Sequence, residues 1–248
     1  MFIKRSVLTT VLILTVSYYG WPKGNKGYSI TPVPFDKVKI NDAFWSPRME
    51  VNRNVTLWHV LNECARTGRF DNLAFAAGLK KGKYTGYQFN DSDVYKTIEG
   101  ASYILATNPD QRLDHYLDSI ITIIAAAQDA DGYLYSPKKL ITAEYQPPGG
   151  KERWVGEKDG SHELYCAGHL YEAAVAHTLA TGKRNLLTIA LKNADLVCST
   201  FGPNGRHEVP GHQVIEMGLC KLYALTGNEQ YLNTARFFLD ERGNAKGH

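Results

Sequence analysis

Three side chains in the stretch GSHELYCAGH, residues 160–169, are of types that hold metals, sugars or protons: His162, Cys166 and His169. They stand at i, i+4 and i+7, so a helix through them would carry all three on one face. Two imidazoles and a thiol are metal-ligand chemistry. The H-E-x-x-H zinc signature is absent, because the residue four after His162 is Cys166. The other reading makes His162 a sugar-binding residue at a helix start, where an imidazole offers a hydroxyl pair one donor and one acceptor. His169, one turn deeper, then reads as a satisfied core histidine.

Two more stretches carry polar groups at helix starts. In PGHQVIEMGL the expected helix opens at His212, with Glu216 one turn below it on the same face. A carboxylate there orients the imidazole tautomer or complements the helix dipole. In FNDSDVYKTIEG, Asp91 or Ser92 suits a cap, and Asp93, Lys96 and Glu99 form an i, i+3, i+6 ladder. That ladder serves as surface ion pairing or as a polar substrate wall. Glycoside cleavage needs two carboxyl groups, or a carboxyl and a nucleophile, across one bond. Glu163, Glu216 and Asp93 are the carboxylates placed on this rim, and no flanking pattern marks any of them as acid or base. A serine nucleophile elbow and a phosphate-cradling glycine loop are both missing from the sequence.

The elements that must position these groups are helices. A first amphipathic run, FWSPRMEVNRNVTLWHVLNECARTGRFDNL, is expected to begin after Ser46-Pro47 and to end at Gly68. Three segments then repeat one pattern of helix, tight break and helix, with breaks at Thr107-Asn108-Pro109, Thr181-Gly182 and Thr226-Gly227. Glycine or asparagine after a helix supplies the left-handed residue that stops it. Tandem antiparallel hairpins mean an array or closed ring, so the fold class is all-α. Asp93 precedes Asn108 by 15 residues, His212 precedes Gly227 by 15, and His162 precedes Gly182 by 20. Three hairpins thus bring Asp93, His162 and His212 to one rim.

Composition narrows the function classes. The 28 Lys+Arg against 25 Asp+Glu include no basic block, which removes the electrostatic footprint of nucleic-acid binding. Lys4 and Arg5 ahead of the apolar run Val7–Val16 read as a secretory signal, too short to span a bilayer. Residues 1–27 are therefore expected to be signal peptide and leader, with an uncleaved anchor as the alternative. Export to the periplasm or outside the cell follows, with no membrane contact for the mature chain. Cys64, Cys166, Cys198 and Cys220 are widely spaced and lie in apolar helical contexts, where buried free thiols are the expectation.

Five motifs in this order, FWSPRMEVNR, TGRFDN, DSDVYKTIEGASY, SHELYCAGHLYEAAVAH and GHQVIEMGLCKLYALTGNEQYLNTARFFLDERG, resemble the β-L-arabinofuranosidase-like family, glycoside hydrolase family 127. The resemblance runs from about Val38 to Gly243 and implies an (α/α)6 toroid. It also implies exo-acting release of β-L-arabinofuranose from plant-type glycans with retention of configuration. His162 and His212 match the family's sugar-contacting histidines; Asp93 and Glu216 join them as substrate-binding candidates from their place on the rim. The family's nucleophile is a zinc-bound cysteine, with further cysteines and a glutamate on the zinc and another glutamate as acid/base. These are expected beyond His248: no cysteine here has a neighbouring cysteine, and none is promoted to that role. The resemblance thus makes residues 28–248 the N-terminal portion of a catalytic domain, incomplete as a ring. It supplies sugar-binding residues, has no catalytic or metal-binding residue of its own, and is inactive alone. Its partners are a carbohydrate and the C-terminal half of the same domain. The alternatives are a non-catalytic helical carbohydrate-binding protein and a metal-binding helical protein using His162, Cys166 and His169.

Overall fold

The computed structural model describes residues 33–244, so the expected signal segment lies outside the described residues. The helices are α1 (Trp45–Val51), α2 (Leu57–Arg66), α3 (Arg69–Ala76), α4 (Asp91–Thr107), α5 (Gln111–Ala127), α6 (Ser136–Lys139), α7 (Glu163–Thr181), α8 (Asn185–Thr200), α9 (Ile215–Thr226) and α10 (Glu229–Arg242). Among the described residues there is no strand, only an isolated bridge between Phe201 and Arg206. None of these helices is long and apolar enough to cross a membrane. The protein is all-α and of the (α/α)6 toroid type.

The three expected hairpins are α4–α5, α7–α8 and α9–α10. Helix α7 packs between α4 and α9, and these three form an inner layer, with α5, α8 and α10 outside. Burial follows the sequence pattern. On α4, Val94, Ile98, Ala101 and Leu105 recur at three and four residues and are buried. On α7 the apolar residues occupy nearly every side, which suits a helix covered all round. Each fully buried Leu, Val or Ile contributes about 1.5–3 kcal/mol. At Gly168 a Cβ would stand 2.6 Å from the Ile215 nitrogen, and at Gly218 one would stand 2.8 Å from the Gly168 oxygen. Two glycines thus let the α7 and α9 backbones touch.

Several boundaries differ from the sequence expectations. Helix α1 starts at Trp45, ahead of Ser46-Pro47, because the Asp42 carboxylate accepts the Phe44 and Trp45 N–H groups. Gly182 and Gly227 stop α7 and α9 in left-handed conformations, φ 73° and 75°, as expected. Asn108 instead ends α4 at φ −141°, and Asp110 beyond it caps α5 by accepting from Arg112 and Leu113. Neither Asp91 nor Ser92 caps α4. The buried Asp91 carboxylate accepts the Ser136 N–H and hydroxyl, tying α6 to the head of α4, while Ser92 donates to the Phe89 carbonyl.

Candidate functional site

The starts of α4, α7 and α9 lie side by side, and the loops before them bring an aromatic cluster together. His162 precedes α7 in the left-handed region, φ 65°, so its ring does not continue the helical face below it. Its Nδ1 lies 2.6 Å from the Gly160 carbonyl oxygen. A carbonyl only accepts, so Nδ1 carries the proton and Nε2 remains an acceptor. Gln88 donates to the same carbonyl at 2.9 Å and fixes it in place.

His212 sits in the loop ahead of α9, which opens at Ile215 rather than at His212 as the sequence suggested. Its Nδ1 lies 2.9 Å from the Gln213 carbonyl, so the same argument leaves Nε2 as an acceptor. The His162 and His212 rings are 6.4 Å apart, centre to centre. Tyr165 joins them, 5.4 Å from His162 and 5.0 Å from His212. On the other side of His162 stands Phe89 at 5.4 Å, itself stacked on the exposed ring of Tyr87 at 5.3 Å. The structure thus brings together the two histidines that sequence spacing placed on one rim. It revises their chemistry: each donor is already used by a carbonyl, and each ring offers an acceptor.

Asp93 reaches the cluster through a cation. Its carboxylate lies 3.8 Å from the Lys96 ammonium and 3.3 Å from Arg69. Lys96 in turn stands 4.9 Å above the Tyr165 ring. Glu216 does not orient the His212 tautomer. Its Oε2 accepts the Val214 N–H at 3.1 Å, within the loop leading into its own helix, and Oε1 is buried without a hydrogen-bond partner.

The face shared by His162, Cys166 and His169 dissolves in three dimensions. Cys166 turns inward and donates to the Phe89 carbonyl, and burial holds its thiol well above the usual range. The His169 ring packs edge-on against Tyr165 at 4.6 Å, and its buried Nδ1 has no partner, unlike a satisfied core histidine. Burial, with the nearby Lys96 ammonium, pushes it down to about 4, so the ring is neutral near pH 7. Among the described residues, Asp114, Asp118 and His177 are the three potential ligands within 4.8 Å of one another. That group lies 15 residues down α7 from His162, about 22 Å away. The Lys183 ammonium, 2.6 Å from both carboxylates, already supplies its positive charge. Of the cysteines expected to be buried, Cys64 and Cys166 are; Cys198 is half-buried and Cys220 exposed.

Tyr165 and Phe89 belong to the cluster but were not singled out from the sequence, whereas Lys96 was named there as a rung of the ladder from Asp93 to Glu99. Tyr165 follows His162 by three residues, the helical spacing that should have marked it. Glu157 was hidden inside a loop. It is 1% exposed and bonds to backbone beside both histidines. The neighbouring Glu163 is also buried, paired with Lys138 at 3.2 Å and accepting from Tyr133 and the Trp154 N–H. It therefore braces the loop instead of facing the rim. A hollow of about 510 Å³ lined by Arg53, Trp58, Asn108 and Arg112 lies at the opposite end of α4 and includes none of the candidates.

Comparison with known proteins gives concordant matches. The profile described as β-L-arabinofuranosidase, GH127 catalytic domain, matches residues 37–247. A non-reducing end β-L-arabinofuranosidase of Bifidobacterium longum is 41% identical over 174 residues, covering 69% of this chain and 26% of that protein. A solved GH127 β-arabinofuranosidase superposes with a TM-score of 0.83 at 50% identity, over 88% of this chain and 35% of that one. A GH127 β-L-arabinofuranosidase from Geobacillus stearothermophilus T6 superposes with a TM-score of 0.76 at 40% identity, over 84% and 33% respectively. The chain thus spans between a quarter and about a third of the length of these relatives.

Proposed function

The chain belongs to the β-L-arabinofuranosidase family, glycoside hydrolase family 127, and from that membership we propose that its rim is the sugar-gripping part of an exo-acting enzyme releasing β-L-arabinofuranose with retention. The observation that carries this reading is the meeting of His162, Tyr165 and His212 with both Nε2 atoms left as acceptors. Sugar hydroxyls donate well to neutral imidazole nitrogens, and an aromatic ring packs against the C–H face of a sugar. Lys96 brings a donor to the same place for a sugar oxygen, and Asp93 anchors Lys96. Glu216 contributes by shaping the loop that carries His212.

The reacting groups are proposed to come from sequence outside this chain. The four thiols do not fit a zinc-bound nucleophile: Cys166 bonds inward, and among the described residues none of the four lies in a group of three potential ligands. The described residues likewise do not fit a cysteine-rich zinc site, since the gathered donors are two aspartates and a histidine already balanced by Lys183. No step is therefore routed through zinc. The apolar run behind Lys4 and Arg5 supports export before the sugar is met.

Titration of the chain with methyl β-L-arabinofuranoside, followed by NMR, tests the reading. Shifts are expected at His162, Tyr165 and His212, and His162→Ala or His212→Ala should each weaken binding about tenfold, the worth of one hydrogen bond. Shifts confined to other residues would overturn it. The chain by itself should not turn over an aryl β-L-arabinofuranoside; robust hydrolysis would place the nucleophile among its own residues.

A further inference from the structure

One buried side chain touches the backbone on both sides of the imidazole pair. The Glu157 Oε1 accepts the Leu164 N–H at 3.1 Å and the Ser161 hydroxyl at 3.1 Å, and these partners flank His162. Its Oε2 accepts the Gly211 N–H at 3.2 Å, immediately before His212. The backbones meet here as well: a Cβ on Gly211 would stand 2.2 Å from the Glu157 carbonyl oxygen. We propose that Glu157 is a positioning residue whose carboxylate clasps the His162 segment to the His212 segment and so sets the spacing of the two imidazoles. Its purpose rests on the sugar-binding reading above; its geometry does not.

The donor set explains why a carboxylate stands there. Three donors converge on Glu157, and a carboxyl group can accept on both oxygens where an amide can accept on only one. An amide of the same shape would turn an NH2 group towards either Gly211 or Leu164, setting donor against donor. Burial favours the protonated acid, and the bonds from Leu164, Gly211 and Ser161 oppose that by stabilising the charge. The His212 loop needs such a tether. His212 and Gln213 are exposed, and the loop's other holds are Arg242, which donates to the Pro210 carbonyl, and Glu216, which accepts the Val214 N–H. No helix of the inner layer depends on the clasp, because their apolar contacts and the Lys221 pairing with Glu99 and Glu172 lie further along them.

The test uses the 248-residue chain and its Glu157→Gln variant, without sugar and then with methyl β-L-arabinofuranoside. In the parent chain the Gly211 amide should exchange with solvent as slowly as the Leu164 amide, although it lies in a loop. In Glu157→Gln the Gly211 amide should exchange at least tenfold faster, and the proton contact between the Tyr165 and His212 rings should disappear. Affinity for the arabinofuranoside should fall at least tenfold, while slow exchange in the buried parts of α4 and α7 persists. A parent Gly211 amide exchanging at a free-loop rate overturns the clasp, and so does a variant that keeps the ring contact. Should the variant fail to fold, the parent exchange rate still decides. Absence of sugar binding by the parent chain would remove the functional reading alone, since the exchange and ring-contact measurements need no sugar.

Discussion

Asp91 shows how a residue beside the rim answers to pH. Burial is the main cause that raises its carboxyl to about 6, against the bonds from Ser136 that favour the charge. The folded value exceeds the unfolded one, so the folded state holds the proton more tightly. The cost of the buried charge, about 3 kcal/mol, is therefore fully present above pH 6 and is relieved as pH falls towards 4. Asp91→Asn keeps an acceptor for the Ser136 N–H and offers its hydroxyl a donor. Urea melts should find the variant's advantage over the parent greatest at pH 7 and shrinking towards pH 4; a pH-independent difference would remove the buried-charge account. His169 acts in the opposite sense, because its value is lowered: the stability of the neutral ring is lost as pH falls from about 6.5 towards 4. The identity of His162 and His212 was legible from spacing and motif. Their tautomers were not, because Gly160 and Gln213 contribute backbone carbonyls, which no side-chain pattern reveals.

At the scale of elements, the crossing of α7 over α9 fixes the height of the His212 loop. Gly168→Ala would drive a methyl group into the backbone at Val214 and Ile215. Backbone cannot swing aside as a flexible side chain would, so a loss of about 1–3 kcal/mol is expected, read as a fall of several degrees in Tm. Gly100→Ala on α4, where a Cβ meets nothing within 4 Å, is the matched control and should hold or raise Tm. The hairpins themselves were legible because apolar periodicity and terminal glycines agree over each segment. Where they failed, a side chain outside the pattern had taken over a cap: Asp42 at α1 and Asp110 at α5. The shift of α9 from His212 to Ile215 has a similar origin: the Glu216 carboxylate accepts the Val214 N–H just ahead of the helix, and Val214 itself is not helical.

Across the described residues, apolar side chains remain outside the core in several places. Phe44, Trp45, Met49, Val51 and Val55 are exposed around α1, and Met217 and Leu239 on the outermost hairpin. Contiguous apolar surface of this kind promotes association in water. Light scattering should find that the chain associates as its concentration rises, and that Met49→Lys with Val55→Lys reduces this without altering the helical circular dichroism. Unchanged association in the double variant would direct attention to Met217 and Leu239. Repetition of the hairpins made the all-α class legible and left array or ring open; the toroid type came from the family resemblance. How they layer was less so, because α7 is apolar on nearly every side and gives no hint of which neighbour each side meets. The left-handed backbone at His162 has a consequence for drift under selection. Glycine would sit there without the roughly 1–2 kcal/mol that an ordinary side chain pays. Stability alone would thus welcome glycine at this position; under the proposed sugar-gripping role glycine would give up the imidazole, so a relative that no longer holds such a sugar is free to carry it.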